Sequence, residues 1–194
     1  LPEPMNFQLL IFLGVLLAAG GIYLYSLHYE PNLATPLKLN LADTFRVPFR
    51  DDNFRRMVAF GVYWHAAVLL ASPFVFAYFL EHLEMNFTQI ALFSAIAAIT
   101  ALIFGPRWGR LADRVGNKAL LSISTFLAGS IIPLCWMVAT PGYLFPVYLS
   151  AFLEGLIWSA LTPAIFNLTL ATTPQENRIA YLGVFSMCIG VGGF

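Results

Sequence analysis

The chain alternates between long apolar stretches and short polar connections. Six stretches have or approach the roughly 20 apolar residues that a helix needs to cross about 30 Å of hydrocarbon. Because each backbone N–H and C=O in lipid must be paired within its own segment, these stretches are predicted to be helices. We therefore expect an all-α membrane protein with six transmembrane helices, at residues 7–27, 57–80, 87–106, 119–139, 143–171 and from about 179 to 194.

The basic residues fall only on alternate connections between these spans. In chain order, the five connections contain five, zero, four, zero and one Lys or Arg residues. All ten basic residues are therefore predicted to lie on one side, which the positive-inside rule places in the cytoplasm. We expect an integral, multi-pass protein of the cell (inner) membrane with cytoplasmic basic loops. Placement of Arg55 and Arg114 on opposite sides would contradict this threading.

The composition agrees with lipid as the main solvent. Hydrophobic residues make up 59% of the 194 and charged residues only 10%, against about 25% charged residues in a typical soluble domain. Ten basic and ten acidic residues balance, so no basic excess indicates nucleic acid as a partner. The sequence contains no Cys/His cluster, phosphate-binding Gly-Lys loop or Gly-x-Ser-x-Gly element, so neither an enzyme nor a metal or other cofactor is expected.

The connection between the third and fourth spans contains the most specific motif. Residues 109–118 read GRLADRVGNK. They resemble the signature loop of the major facilitator superfamily, Gly-x-Leu-Ala-Asp-Arg-x-Gly-Arg-Lys, from which only Asn117 departs. Order, spacing and position between two helices all agree with that family.

The chemistry of this loop can also be interpreted from its residues. Gly109 and Gly116 are predicted to allow a tight turn. Asp113 can pair with Arg110 or Arg114, or lie at the positive end of a neighbouring helix. The alternative is that this is a short basic loop whose charges only set the orientation of the spans in the membrane. The resemblance implies that the motif latches one conformation of an alternating-access cycle, through Gly109, Arg110, Asp113, Arg114, Gly116 and Lys118.

The order of the spans also resembles one part of this family's fold. Members have twelve helices in two halves, joined by a long cytoplasmic loop. The resemblance implies a sixth helix at 1–27, the central loop at 28–56 and a truncated C-terminal bundle at 57–194. The first five helices and the last helix of the same protein would then be missing. An alternative register makes 57–80 the first family helix, with an extra helix before it.

Candidate pathway residues are polar or aromatic residues inside the spans. A carboxylate in mid-bilayer, such as Glu154, is costly unless it faces protein, water or a partner. Glu154, Trp158 and Thr162 share one helix face by spacing, which is predicted to line a central cavity with Glu154 as a proton or cation site. The alternative for Glu154 is a protonated acid bonded to a neighbouring helix. The further candidates are Trp64, His65 and Asn167.

Two of these further candidates also have structural interpretations. His65 can bond to a backbone carbonyl, and Asn167 can bond between helices. Several glycines are interpreted as close helix contacts: Gly14, Gly129, Gly183 and Gly190.

Together these features favour secondary active transport of a small solute, by rocking of two helical halves around a midplane site. Symport, antiport and coupling to a proton or cation are left open. The alternative is an accessory or assembly subunit of a larger membrane complex that moves no solute. The expected partners are the lipid bilayer, a small-molecule solute, a co-transported proton or cation, the N-terminal half and, under the alternative, that complex.

Overall fold

The computed structural model describes residues 3–28 and 40–192, and within them it is helical. An isolated bridge joins Thr140 to Tyr143 in the turn before the sixth helix. Short 3-10 turns lie at Pro48–Arg50 and Gln175–Asn177, and a π-helical turn at Tyr78–His82 continues the third helix. The helices are α1 Glu3–Ser26, α2 Leu41–Arg46, α3 Asp52–Ala77, α4 Phe87–Val115, α5 Asn117–Met137, α6 Phe145–Ala171 and α7 Arg178–Gly192.

Four helical segments are long and apolar enough to cross a membrane. They are Asp52–His82, Phe87–Val115, Asn117–Met137 and Phe145–Ala171. Two of the predicted spans, the first and the last, correspond to shorter apolar helices in the described residues, at Ile11–Ser26 and Arg178–Gly192. The prediction of an all-α membrane protein is confirmed.

The helix α1 and the helices from α2 onward belong to two separate compact units. In the first unit, the described side chains of α1 are exposed, for example Leu17 at 70% and Ile22 at 72%. The predicted central loop at 28–56 is partly helical, since it contains α2, a 3-10 turn and the start of α3. Its residues 29–39 lie outside the described residues.

Polar caps fix where α3 and α4 begin. The carboxylate of Asp51 accepts hydrogen bonds from the backbone N–H groups of Asn53 at 2.8 Å and Phe54 at 3.2 Å. Asn86 and Gln89 form a reciprocal capping box at the start of α4, with bonds of 2.8 and 2.9 Å. These bonds satisfy backbone donors that the first turn of a helix leaves unpaired.

In the second unit, α4 and α5 pack against α6, and α3 packs mainly against α7. Among the glycines in the described residues, Gly155 of α6 lies closest to a neighbouring backbone, since an added Cβ would lie 2.1 Å from the carbonyl oxygen of Ala97 in α4. Gly61 and Gly192 also lie against side chains of neighbouring helices. By contrast, an added Cβ would meet no described atom within 4 Å at Gly129, Gly183 and Gly190, so their interpretation as helix contacts is wrong for the described residues of the second unit.

Three apolar clusters hold the second unit together. One joins the π-helical turn to α4 and α6 and includes Phe79, which is fully buried. A second joins α3 to α7 around Phe54 and Tyr181, and a third joins α5 to α6 around Leu120 and Leu161.

Candidate functional site

The signature motif is helical over most of its length, so the prediction of a loop at 107–118 is wrong. The helix α4 continues to Val115 and α5 begins at Asn117, with Gly116 alone between them. Arg, Leu and Ala are good helix formers, which explains why the helix continues past the apolar span. Gly116 has φ 85° and ψ 149°, a conformation that is essentially restricted to glycine. The tight turn therefore depends on Gly116, while Gly109 lies inside a helix.

The charged residues of the motif surround this turn. Arg110, Asp113, Arg114 and Lys118 are exposed. Among the described residues Asp113 forms no ion pair, and the one salt bridge found there joins Arg55 to Asp52. The motif therefore offers exposed charges at one end of the bundle, called here the motif end.

The basic residues concentrate at the motif end. Arg55 lies in the first turn of α3 and Arg114 in the last turn of α4, so both are at the same end of this helical hairpin, as the predicted threading requires. Lys38 lies outside the described residues. The remaining basic residues near this end are Arg46, Arg50, Arg56, Arg107, Arg110, Lys118 and Arg178.

One cavity of about 400 Å³ lies between α3, α5 and α6, and α4 contributes Phe93 to its wall. Its walls are mainly apolar, and within the described part of the chain Glu154 is the single charged residue that lines it. Glu154 is half-buried, and its carboxylate forms no hydrogen bond or ion pair within the described part of the chain. This cavity is called the Glu154 chamber. Its aromatic lining residues are Trp64, Phe76, Phe93, Trp136 and Trp158.

Trp136 presents only its ring to this chamber. Its Nε1–H donates a hydrogen bond of 2.8 Å to Oγ of the buried Ser150. The Ser150 hydroxyl in turn donates to the carbonyl oxygen of Val147 at 2.7 Å. Ser72 supplies a hydroxyl to the wall, so the chamber combines one unpaired carboxyl group with flat apolar surfaces.

A second cavity of about 450 Å³ lies between α3, α6 and α7, closer to the motif end. Its polar lining residues include His65 and Thr162, and it is called the His65 chamber. The imidazole Nδ1 of His65 lies 2.8 Å from the carbonyl oxygen of Gly61. Since a carbonyl oxygen only accepts, Nδ1 carries a proton in this bond. His65 therefore makes the bond to a backbone carbonyl that its structural interpretation predicts.

The structure brings together five of the six candidate pathway residues. Glu154, Trp158 and Thr162 line the two chambers from α6, and Trp64 and His65 line them from α3. Asn167 lines neither chamber and is exposed. It lies nine residues beyond Trp158, which at about 100° per residue places it on the opposite face of α6.

The sequence pattern gave no indication that the aromatic residues Phe76, Phe93 and Trp136 line the Glu154 chamber. Each lies in a long apolar run, where an aromatic residue that faces a cavity has the same signature as one that faces lipid. The Trp136 side chain is half-buried, and its N–H needs a partner. A serine in a neighbouring span that could accept a hydrogen bond from this N–H is the one sequence feature that could have indicated the orientation of Trp136.

Long apolar helices define a multi-pass helical membrane protein. The cavity lined by Glu154 is its candidate site. Residues 6–194 match the sequence profile described as Major Facilitator Superfamily. The chain belongs to this family, whose members are membrane carriers rather than enzymes.

The chain is also similar to individual members of the family. It is 32% identical over 99 residues to the tetracycline resistance protein, class E, of Escherichia coli. The aligned region covers 50% of this chain and 23% of that relative. It is 29% identical over 131 residues to the multi-drug resistance efflux pump PmrA of Streptococcus pneumoniae, covering 66% and 32%. It is 36% identical over 96 residues to the human solute carrier family 67 member A1, covering 48% and 22%.

The matched region thus spans a third or less of the length of each of these relatives. No solved structure shows a significant match to the chain.

Proposed function

We propose that the whole protein is a secondary active transporter that moves a small, mainly apolar solute by alternating access. In this proposal Glu154 binds a proton or another cation during the cycle. The observation that supports this role is the half-buried carboxyl group of Glu154, which has no partner among the described residues. An unpaired carboxylate in apolar surroundings raises the free energy of the protein. Binding of a proton or a cation to this group would lower that free energy.

The proposed solute class follows from the walls of the Glu154 chamber. A volume of about 400 Å³ lies in the range of small-molecule sites, roughly 300–1,000 Å³. The indole rings of Trp64 and Trp158 favour flat, apolar groups. The names of two relatives, a multi-drug efflux pump and a tetracycline resistance protein, support a solute of drug-like size.

The orientation and the role of the motif belong to the same proposal. The basic residues at the motif end favour a cytoplasmic position for that end, in the cell (inner) membrane. The exposed charges beside the Gly116 turn support a role in the conformational cycle, in which they form and break contacts with the other half of the transporter. The residues proposed for this latch are Gly109, Arg110, Asp113, Arg114, Gly116 and Lys118.

Transport by the whole protein in proteoliposomes tests the proposal. The probes are ethidium and rhodamine 6G, and a pH gradient is imposed across the membrane. The variant Glu154→Gln is expected to lose uptake driven by the gradient while it retains dye exchange at equal pH. The matched control is Glu81→Gln, which removes a carboxylate exposed in the π-helical turn.

Three outcomes are informative. Loss of gradient-driven uptake in Glu154→Gln alone supports a proton role. Unchanged pH dependence in that variant removes this role for Glu154. Wild-type protein that moves neither dye and co-purifies with other membrane subunits favours the alternative of an accessory subunit.

A further inference from the structure

We propose that Trp64 and Trp158 form a partition between the Glu154 chamber and the His65 chamber, and that this pair limits the size of solute that passes from one chamber to the other. The inference rests on the proposed transport function, since it concerns the path that the solute takes.

The first observation is that the two chambers share one part of their walls. Among the described residues, Trp64 and Trp158 alone line both the Glu154 chamber and the His65 chamber. Glu154 lies one helical turn from Trp158 on one side, and Thr162 lies one turn away on the other. The indole pair therefore separates the carboxyl group from the polar groups that lie closer to the motif end.

The second observation is the geometry of the pair. The ring centroids of Trp64 and Trp158 are 6.0 Å apart, and their planes are inclined by 51°. This separation lies just above the middle of the 4.5–7 Å range of aromatic contacts, and the inclined planes are not stacked. The two rings thus meet without close stacking, and a small displacement separates them.

The third observation is that the two indoles come from different groups of helices. Trp158 is part of α6, which packs against α4 and α5, whereas Trp64 is part of α3, which packs mainly against α7. Side chains bridge α3 and α6 at this level in place of close backbone packing. Movement of one group relative to the other would therefore part the rings and join cavities of about 400 and 450 Å³.

Cysteine accessibility tests the partition without any need for solute transport. Every cysteine of the whole protein, Cys135 and Cys188 included, is first replaced by alanine. A single cysteine is then introduced by Ser72→Cys in the Glu154 chamber or by Thr162→Cys in the His65 chamber. The probe is a membrane-impermeant trimethylammonium-ethyl thiosulfonate, added to sealed vesicles from one side at a time. The rate of modification is measured for each cysteine.

One side of the membrane is expected to give fast modification of Ser72→Cys. With both indoles present, reagent added from that same side should modify Thr162→Cys slowly. Adding Trp158→Ala should make Thr162→Cys react about tenfold faster from that side, because the contact that closes the passage is lost. The rate at Ser72→Cys should stay unchanged. Trp158→Phe and Trp64→Phe retain a ring and should fold as the wild type does, with intermediate rates at Thr162→Cys.

The matched control is Phe152→Ala on the same helix. Phe152 packs edge-on against Phe104, with ring centroids 6.0 Å apart, and lines neither chamber. It should leave both rates unchanged. Equal rates at Thr162→Cys with and without the indole rings, in the Phe and Ala variants alike, would overturn the partition.

A transport measurement then tests the size limit, with ethidium and the larger rhodamine 6G as probes. Trp158→Phe is expected to raise the rate for rhodamine 6G relative to ethidium, and an unchanged ratio would overturn the size limit. If neither probe is transported but the cysteine rates change as expected, the partition stands and the proposed transport function fails.

Discussion

The close contact between Gly155 of α6 and the backbone of Ala97 in α4 leads to a quantitative prediction for Gly155→Ala. The added Cβ would lie 2.1 Å from the Ala97 carbonyl oxygen and 2.9 Å from Cβ of Thr100. Because carbon–oxygen contacts lie at about 3.3 Å or more, the helices must separate by roughly 1 Å. No rotamer change relieves a clash with a backbone atom.

The expected loss in free energy of unfolding follows from substitutions that add methyl groups to a packed core. Extra methyl groups in a packed core cost about 1–3 kcal/mol and occasionally more, and a backbone clash belongs at the upper end. A loss of about 3 kcal/mol lowers the ratio of folded to unfolded protein by roughly a hundredfold. We therefore expect Gly155→Ala to lower the apparent melting temperature of the whole protein markedly.

The assay is thermal unfolding of the detergent-solubilised whole protein, at one fixed heating rate, because irreversible unfolding makes the midpoint rate-dependent. The matched control is Gly105→Ala in α4, where an added Cβ meets no described atom within 4 Å. Alanine is favoured over glycine inside a helix by up to about 1 kcal/mol, so this control should be neutral or stabilising. A Gly155→Ala midpoint at or above that of wild type would refute the crossing of α4 and α6 described here.

Two further predictions concern helix ends, and the same unfolding assay measures both. Asp51→Ala removes the bonds to the N–H groups of Asn53 and Phe54 and should cost about 1 kcal/mol, whereas Asp51→Asn should retain most of the stability; equal midpoints for the two variants would contradict the cap. Gly116→Ala places a side chain at φ 85° and should cost about 1–3 kcal/mol, whereas Gly109→Ala should cost none of this strain; similar losses for both glycines would count against the turn at Gly116.

Hydropathy and charge predicted the helical class well, because both are local properties of the chain. The spans predicted at 119–139 and 143–171 lie within a few residues of α5 and α6. The same signal ended the third span at 106, while α4 continues to Val115. Hydropathy shows where apolar residues stop, but a helix continues for as long as its backbone hydrogen bonds and side chains allow.

Helical spacing likewise predicted the shared face of Glu154, Trp158 and Thr162, because that face depends on one helix alone. The lining by Trp136 depends on how α5 is rotated against α3, which is a property of packing between helices. Gly155 was missed for the same reason, since only the α4 backbone distinguishes it from a glycine that faces open space.

In the proposed partition, Glu154 on α6 is held in a fixed position, and the neighbouring Trp64 on α3 can move. Gly155 presses α6 against the backbone of α4, so the adjacent Glu154 lies on the most closely packed pair of helices in the second unit. Trp64 lies on α3 between two anchors. At one end the hydroxyl of Tyr78 donates to the carbonyl oxygen of Trp136 at 2.9 Å.

At the motif end, the ring of Phe54 packs edge-on against that of Tyr181 in α7, with centroids 4.6 Å apart. If α3 moves together with α7 at the motif end and remains held at Tyr78, Trp64 is displaced while Glu154 keeps its position on α6. The cation site would then stay constant through the cycle, and the passage between the chambers would open and close beside it.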